Sequence, residues 1–357
     1  MQARSRITLL VAFVALAALS TAVTTAQNTS DQSKQRPRTV SAPSARAQQK
    51  PTPNLDELEP DVVRVETNLV NTVFTAVDRD RHFITTLRAD DLRIFEDDTP
   101  QHISLFEHET DRPLILVILV DTSKSQERTL ADEKKAAKAF IRSVVRPEKD
   151  QVTVISFTGQ PTIEQSLTNQ IVKLNRAIDR LKVELPGDNP YCEAVKSVQE
   201  DPLCWTSIWD STWASTEVLA HTPENSRRAI ILLSDGDDTS STIKRQDAIE
   251  SAIKNNVIIY SIGIGDSEFY KVEADSLHKL SDRTGGRAFL PRDERELSAA
   301  FDQIQAELRS QYVVAYSPKN KAHDGSQRRV RIEVVNPELR KQNLQLLYRQ
   351  GYYAPRQ

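Results

Sequence analysis

Residues Leu114–Val120 read Leu-Ile-Leu-Val-Ile-Leu-Val and run straight into Asp121-Thr122-Ser123-Lys124-Ser125. Successive side chains of an extended chain point to opposite faces, so a strand with no polar position must be covered on both sides. That is the signature of a strand inside a parallel sheet, with helices above and below. The neighbouring sequence agrees. A helical pattern covers Thr129–Val145, and Gln151–Phe157 reads as the next strand. Further helical patterns lie near 170–182, 208–220, 244–255, 272–282 and 294–309, with apolar strands Ala229–Leu233 and Val257–Ile262 between them. Strand and helix in alternation predict an α/β fold with a doubly wound, mainly parallel sheet over residues 111–310.

Both flanks of this region are β in character. Val62–Glu66 and Val70–Val77 alternate apolar and polar, and Asp91–Glu96 with His102–Phe106 suggests a hairpin around Asp97-Asp98-Thr99-Pro100. Gln311–Tyr316, Arg328–Val335 and Leu344–Tyr348 close the chain in the same manner. Two or three strands bury too little surface to stand alone. The economical expectation is one small antiparallel β-sandwich built from both flanks, with the α/β domain inserted in it. Val63, Val65, Val73 and Phe74 would then meet Val313, Val330, Ile332, Val334 and Leu346. Two separate caps on different sides of the α/β core are the rival arrangement.

The start of the chain reads as an export signal over residues 1–26. Arg4 and Arg6 precede an apolar run from Ile7 to Leu19, and small residues follow through Ala26. The run is short for a membrane span, which needs about 20 apolar residues, although an uncleaved anchor stays open. No later segment approaches that length, so the mature chain is expected to lack a membrane span and to reside in the periplasm or beyond. Residues 27–59 are rich in Gln, Ser, Pro and basic residues and poor in apolar ones, the composition of a tether that cannot offset its ordering entropy. The expected order is signal 1–26, tether 27–59, β segment 60–110, α/β domain 111–310 and β segment 311–357.

Composition removes several function classes. With 47 basic and 50 acidic residues the net charge is -3, so no global basic field recruits nucleic acid. Only 9 glycines occur, and Gly263-Ile264-Gly265 lacks the third glycine of a dinucleotide-binding loop. The 2 cysteines cannot build a Cys-based zinc module, and the His residues form no H-E-x-x-H.

The chemistry concentrates where the apolar strands end. Ligands of open α/β sheets bind beyond the carboxyl ends of the strands, which is where Asp121, Ser123 and Ser125 fall. Ile230–Leu233 leads through Ser234 into Asp235-Gly236, a second carboxylate in the equivalent place. Thr206-Ser207-Ile208-Trp209-Asp210 precedes a helix. Taken one at a time these are ordinary turns and helix caps, since Asp, Ser and Thr cap backbone amides and Asp-Gly makes turns. Together they resemble the von Willebrand factor type A domain and its metal-ion-dependent adhesion site, in the order D-x-S-x-S, then threonine, then aspartate followed by glycine. Trp205 stands where that family usually has Gly, a departure in the backbone just before Thr206. The flanking L-R-A-D-D-L-R-I-F-E-D and the closing S-Q-Y-V-V-A-Y-S-P and Y-R-Q-G-Y-Y-A are similar to a bacterial group of exported proteins carrying this domain.

The resemblance implies a divalent cation, Mg2+ or else Mn2+ or Ca2+, held by Asp121, Ser123, Ser125, Thr206 and Asp235. It further implies a coordination position left for an Asp or Glu of a partner protein, hence adhesion rather than catalysis. A structural or assembly domain with an idle metal site is one alternative. A Mg-dependent phosphatase-like enzyme is the other, disfavoured because Ser123 stands where such enzymes place a second Asp; no G-x-S-x-G elbow is present either. Finally, Cys192 and Cys204 flank a Pro- and acid-rich stretch just before Thr206. In an exported chain they are expected to form a disulfide that steadies the Thr206 loop.

Overall fold

The computed structural model describes residues 69–80, 82–108, 112–184, 206–265 and 272–356. Its strands are β1 (Val70–Val77), β2 (Leu92–Glu96), β3 (Thr99–Gln101), β4 (Ile103–His108), β5 (Leu114–Asp121), β6 (Gln151–Phe157), β7 (Pro161–Thr168), β8 (Arg227–Ser234), β9 (Val257–Gly263), β10 (Ala288–Phe289), β11 (Tyr312–Tyr316), β12 (Gln327–Val334), β13 (Gln345–Tyr348) and β14 (Gly351–Tyr353). Its helices are α1 (Leu130–Val144), α2 (Ile171–Arg180), α3 (Ile208–Ala220), α4 (Arg245–Lys254), α5 (Ala274–Thr284), α6 (Glu294–Arg309) and α7 (Pro337–Lys341).

The apolar run is the centre of the molecule. Every residue of β5 is buried, and it pairs in parallel with β6 on one side and β8 on the other. The sheet order is β10-β9-β8-β5-β6-β7. All pairs are parallel except β6 with the edge strand β7. The pleat sends alternate residues of β5 into different cores. Leu114, Leu116, Ile118 and Val120 join one cluster with α1, α2 and α6, while Ile115, Val117 and Leu119 join another with α3, α4 and α5. At about 1.5–3 kcal/mol per buried aliphatic side chain, this one strand anchors both helical layers. The chain leaves β5 toward β6 and later returns to β8 on the other flank. The carboxyl end of β5 is therefore the switch point where such sheets open a crevice.

The flanks form two antiparallel four-stranded sheets, β13-β1-β11-β4 and β14-β12-β2-β3. Each sheet contains strands from before and after the α/β domain. Their shared core includes Phe74, Ile94, Tyr312, Val314, Tyr316, Val330 and Ile332, with Val334 and Leu346 packed against it. Phe74 stacks on Tyr312 at 5.2 Å between ring centres. Buried in the same core, Glu96 accepts hydrogen bonds from the Tyr316 and Tyr352 hydroxyls, each at 2.9 Å. A carboxylate is tolerated there because two donors face it.

Several expectations need correcting. Val73 and Val313 pair with each other in β1 and β11, but they lie on the far face from Phe74 and Val314. They line a cavity of about 70 Å³ with Leu114 and Leu308 of the α/β domain. Period-two alternation allows no other outcome once Phe74 points inward. The hairpin partner of β2 is β3, not the strand beginning at His102. Asp97 and Asp98 both have positive φ (45 and 63), the tight two-residue reversal that matches strand twist. The chain beyond His102 crosses to the other sheet and pairs with β11. β7, β10, β14 and α7 are additional to the elements expected from sequence. Of these, β7 has an irregular burial pattern typical of a solvent-facing edge. Val63, Val65 and the strand at Val62–Glu66 lie outside the described residues.

Candidate metal centre

Asp121 ends β5 and is fully buried. Its Oδ1 accepts from the Ser123 amide at 2.9 Å, and its Oδ2 from the Ser234 hydroxyl at 2.7 Å. Ser234 ends β8, whose register sets Leu233 beside Val120. Parallel pairing of β5 and β8 thus delivers Asp121 and Asp235 to one edge from two strands. The two carboxylates repel. Burial, then the charge of Asp235, pushes the Asp121 pKa up to about 7, and burial likewise raises that of Asp235.

The hydroxyls gather around this pair. Ser123 Oγ and Ser125 Oγ are 3.0 Å apart, and Ser125 also hydrogen-bonds Asp235, which offsets part of the rise in its pKa. Gln126, fully buried in the short 3-10 turn Lys124–Gln126, donates from Nε2 to Ser125 Oγ at 3.3 Å. Lys124 projects outward, and the Thr122 hydroxyl is spent on the Phe157 carbonyl at 3.0 Å.

Thr206 is tied to the loop after β8 rather than to Asp121. Its amide donates to Thr239 Oγ1 at 2.9 Å, and its carbonyl accepts from the amides of Thr239 and Ser240 at 2.9 and 3.1 Å. The start of α3 is anchored in the same loop. Its own N-cap residue, Ser207, makes no side-chain cap. Asp238 substitutes from a distance, with Oδ1 accepting from the Ile208 amide at 2.7 Å and from the Ser241 hydroxyl at 2.6 Å. Asp210 answers in the reverse direction, accepting from the Thr242 and Ile243 amides at 3.1 and 2.7 Å. Gly236 allows Asp235 its place. Its φ is +86, and an added Cβ would lie 2.9 Å from Leu277 Cγ and 3.0 Å from the Glu273 carbonyl.

The donor set suits a hard cation. Two buried carboxylates at one sheet edge repel, and the side chains that bond them, Ser234 and Ser125, bring hydroxyl oxygens of the kind a hard cation takes. Ser234, Gln126 and Asp238 support this arrangement and escaped the sequence reading. Ser234 was visible as the residue before Asp235, but nothing local says that it reaches a neighbouring strand. A separate trio, Asp78, Asp80 and His82, has ligating atoms within 4.8 Å of one another but lies on an exposed loop. There His82 and Asp78 bond each other and close the turn. Cys192 and Cys204 lie outside the described residues.

A doubly wound, mainly parallel sheet with two aspartates and several hydroxyls at its switch point is the architecture of one known domain class. The von Willebrand factor type A domain model matches residues 116–303, and the chain belongs to that family. Among solved structures the chain is similar to BatB from Bacteroides thetaiotaomicron, at 15% identity and TM-score 0.42, over 55% of this chain and 99% of that one. A von Willebrand factor type A protein from Catenulispora acidiphila matches at 14% identity and TM-score 0.45, over 75% of this chain and 74% of that one. Proximal thread matrix protein 1 of the mussel byssus, with a zinc-occupied MIDAS motif, matches at 15% identity and TM-score 0.45, over 60% and 50%. No curated protein matches the chain. Proteins of this family commonly serve protein interaction or adhesion, often through a metal, and are generally not enzymes. Among the described residues no helix is long and apolar enough to cross a membrane.

Proposed function

We propose that this protein binds a divalent cation through Asp121, Ser123, Ser125, Thr206 and Asp235, and through that cation an Asp or Glu side chain of a partner protein. The observation that carries the reading is the pair of buried carboxylates delivered by adjacent strands to one edge, with serine hydroxyls converging on them. Mg2+ is the favoured ion, because it keeps open positions where protein ligands are few. Two carboxylates and neutral hydroxyls leave octahedral positions of the ion to water, and an outside carboxylate would replace one of those waters. Catalysis is not part of the reading: Asp121 has both oxygens engaged by Ser123 and Ser234, which leaves it poorly disposed as a nucleophile.

The setting is extracytoplasmic. It rests on the basic and apolar start of the chain, and it divides the sequence into signal 1–26, tether 27–59, β segment 60–110, inserted domain 111–310 and β segment 311–357. The test is a pull-down from an envelope fraction with Mg2+ present, comparing wild type with Asp121→Ala. A protein captured by the wild type, lost in the variant and lost on chelation, supports the reading. Identical capture by both would overturn it.

A further inference from the structure

Glu133 lies in the first turn of α1, on the stripe that also buries Leu130, Ala136, Ala137, Phe140 and Ile141. That stripe packs on the sheet. α1 begins a few residues beyond the carboxyl end of β5, and Glu133 is the second inward residue of its first turn, after Leu130, close enough to feel the charge of Asp121. Glu133 is only 1% exposed, and its carboxylate oxygens lack a hydrogen bond of ordinary geometry among the described residues, with the Thr129 hydroxyl the donor that faces them. Thr129, one turn earlier, gives its hydroxyl hydrogen to Gln126 Oε1 at 3.0 Å. Gln126 in turn donates to Ser125, so a polar thread runs from the turn below Glu133 to the hydroxyls of the cleft. Burial, and beyond it the charges of Asp121 and Asp235, push the Glu133 pKa up to about 8, and Thr129 offsets only part of this.

A glutamate is an expensive residue to place on an apolar stripe without a donor. Leu or Met would fill the same volume and continue the stripe. An orphan carboxylate in that position makes physical sense where a positive charge arrives nearby. We propose that Glu133 is a third acidic residue of the cation centre, acting through its charge behind Asp121 and Asp235 to raise the centre's affinity and to favour cations of higher charge. This inference rests on the cation-binding reading above.

The test compares wild type, Glu133→Gln, Glu133→Met and Asp121→Ala by calorimetric titration at pH 8 with Mg2+ and, separately, with Tb3+. A charge effect scales with the charge of the ion, so the logarithm of the affinity loss should be about one and a half times larger for the trivalent ion. The expected result is a loss of about tenfold for Mg2+ and about thirtyfold for Tb3+ in both Glu133 variants. Loosened packing would weaken both ions equally. Both variants should fold, since each removes an orphan charge from the core, and circular dichroism checks this. Unchanged affinities, equal losses for the two ions, or failure of both variants to fold would overturn the inference. A wild type that binds neither ion would sink the cation reading and this inference together. Binding lost in Asp121→Ala but kept in both Glu133 variants would sink the inference alone.

Discussion

Asp121 is a costly side chain in the cation-free protein, and under the proposed cation reading a useful one. Its pKa lies near 7 against an ordinary 3.8. A carboxyl whose folded pKa is raised favours the folded state only while protonated, so cation-free stability declines as pH climbs from about 4 to about 7. Cation binding must displace that proton. Mg2+ affinity is therefore expected to be at least about tenfold stronger at pH 8 than at pH 6, since competition at Asp121 alone supplies that factor and the raised carboxyls beside it add to it. Calorimetry at the two pH values checks this, and a flat profile would contradict it. At fixed pH, Asp121→Ala and Asp235→Ala should each weaken Mg2+ at least tenfold while the circular dichroism spectrum is retained. Both aspartates were legible in sequence because each follows an apolar strand. Glu133 was legible only in part: helical spacing from Leu130 turns it inward, but no pattern in the chain says what it faces.

At the scale of elements, the Thr206 loop and the loop after β8 form one unit laced by Asp210 and Asp238. Asp238 supplies the cap that Ser207 does not. Asp238→Ala should cost about 1–2 kcal/mol, the usual loss of an N-cap, read as a lower denaturation midpoint. Because the same loop carries Thr206, Mg2+ affinity should fall with it; a variant that loses stability but keeps full affinity would separate the loop from the site. The Cys192–Cys204 disulfide is expected to steady this loop from the other side, at roughly 3 kcal/mol for a ring of that length. Peptide mapping of exported protein without reductant decides it, and two freely alkylated thiols would refute the bond. Asp210 could be read from its place four residues after Thr206. The reach of Asp238 could not, because the two loops are separated by the whole of α3 and β8.

At the scale of the molecule, strands from the two flanks alternate in one antiparallel sheet, and in the other the C-terminal pair β14-β12 joins the N-terminal pair β2-β3 through β12 and β2. β11 lies between β1 and β4, and β12 lies between β2 and β14. Neither flank has a core without the other. Deleting residues 312–357 should expose residues 69–108 to protease while the α/β domain stays folded. Limited proteolysis with mass mapping reads this out, and full protection of residues 69–108 in the truncated protein would refute the interdependence. The face of β1 and β11 turned away from the sandwich core, with Val73 and Val313, meets Leu114 and Leu308 instead. The inserted domain is thus seated on the sheet that its own flanks create.

Sequence alone determined the elements whose environment repeats along the chain. Leu114–Val120 is apolar at every position, so it had to be a two-faced strand wherever it sat. The helices around it carry their buried stripes as a local period, and both aspartates of the cleft are placed by the ends of such strands. Only the tertiary structure decided what depends on partners distant in sequence. Val73 faces the α/β domain and Phe74 the sandwich, and β4 leaves its apparent hairpin for the other sheet. Ser234 reaches across to Asp121, Asp238 caps a remote helix, and Glu96 survives in a core because two tyrosines find it. Each of these is a pairing between segments, and the free energy of a pairing is written in neither segment by itself.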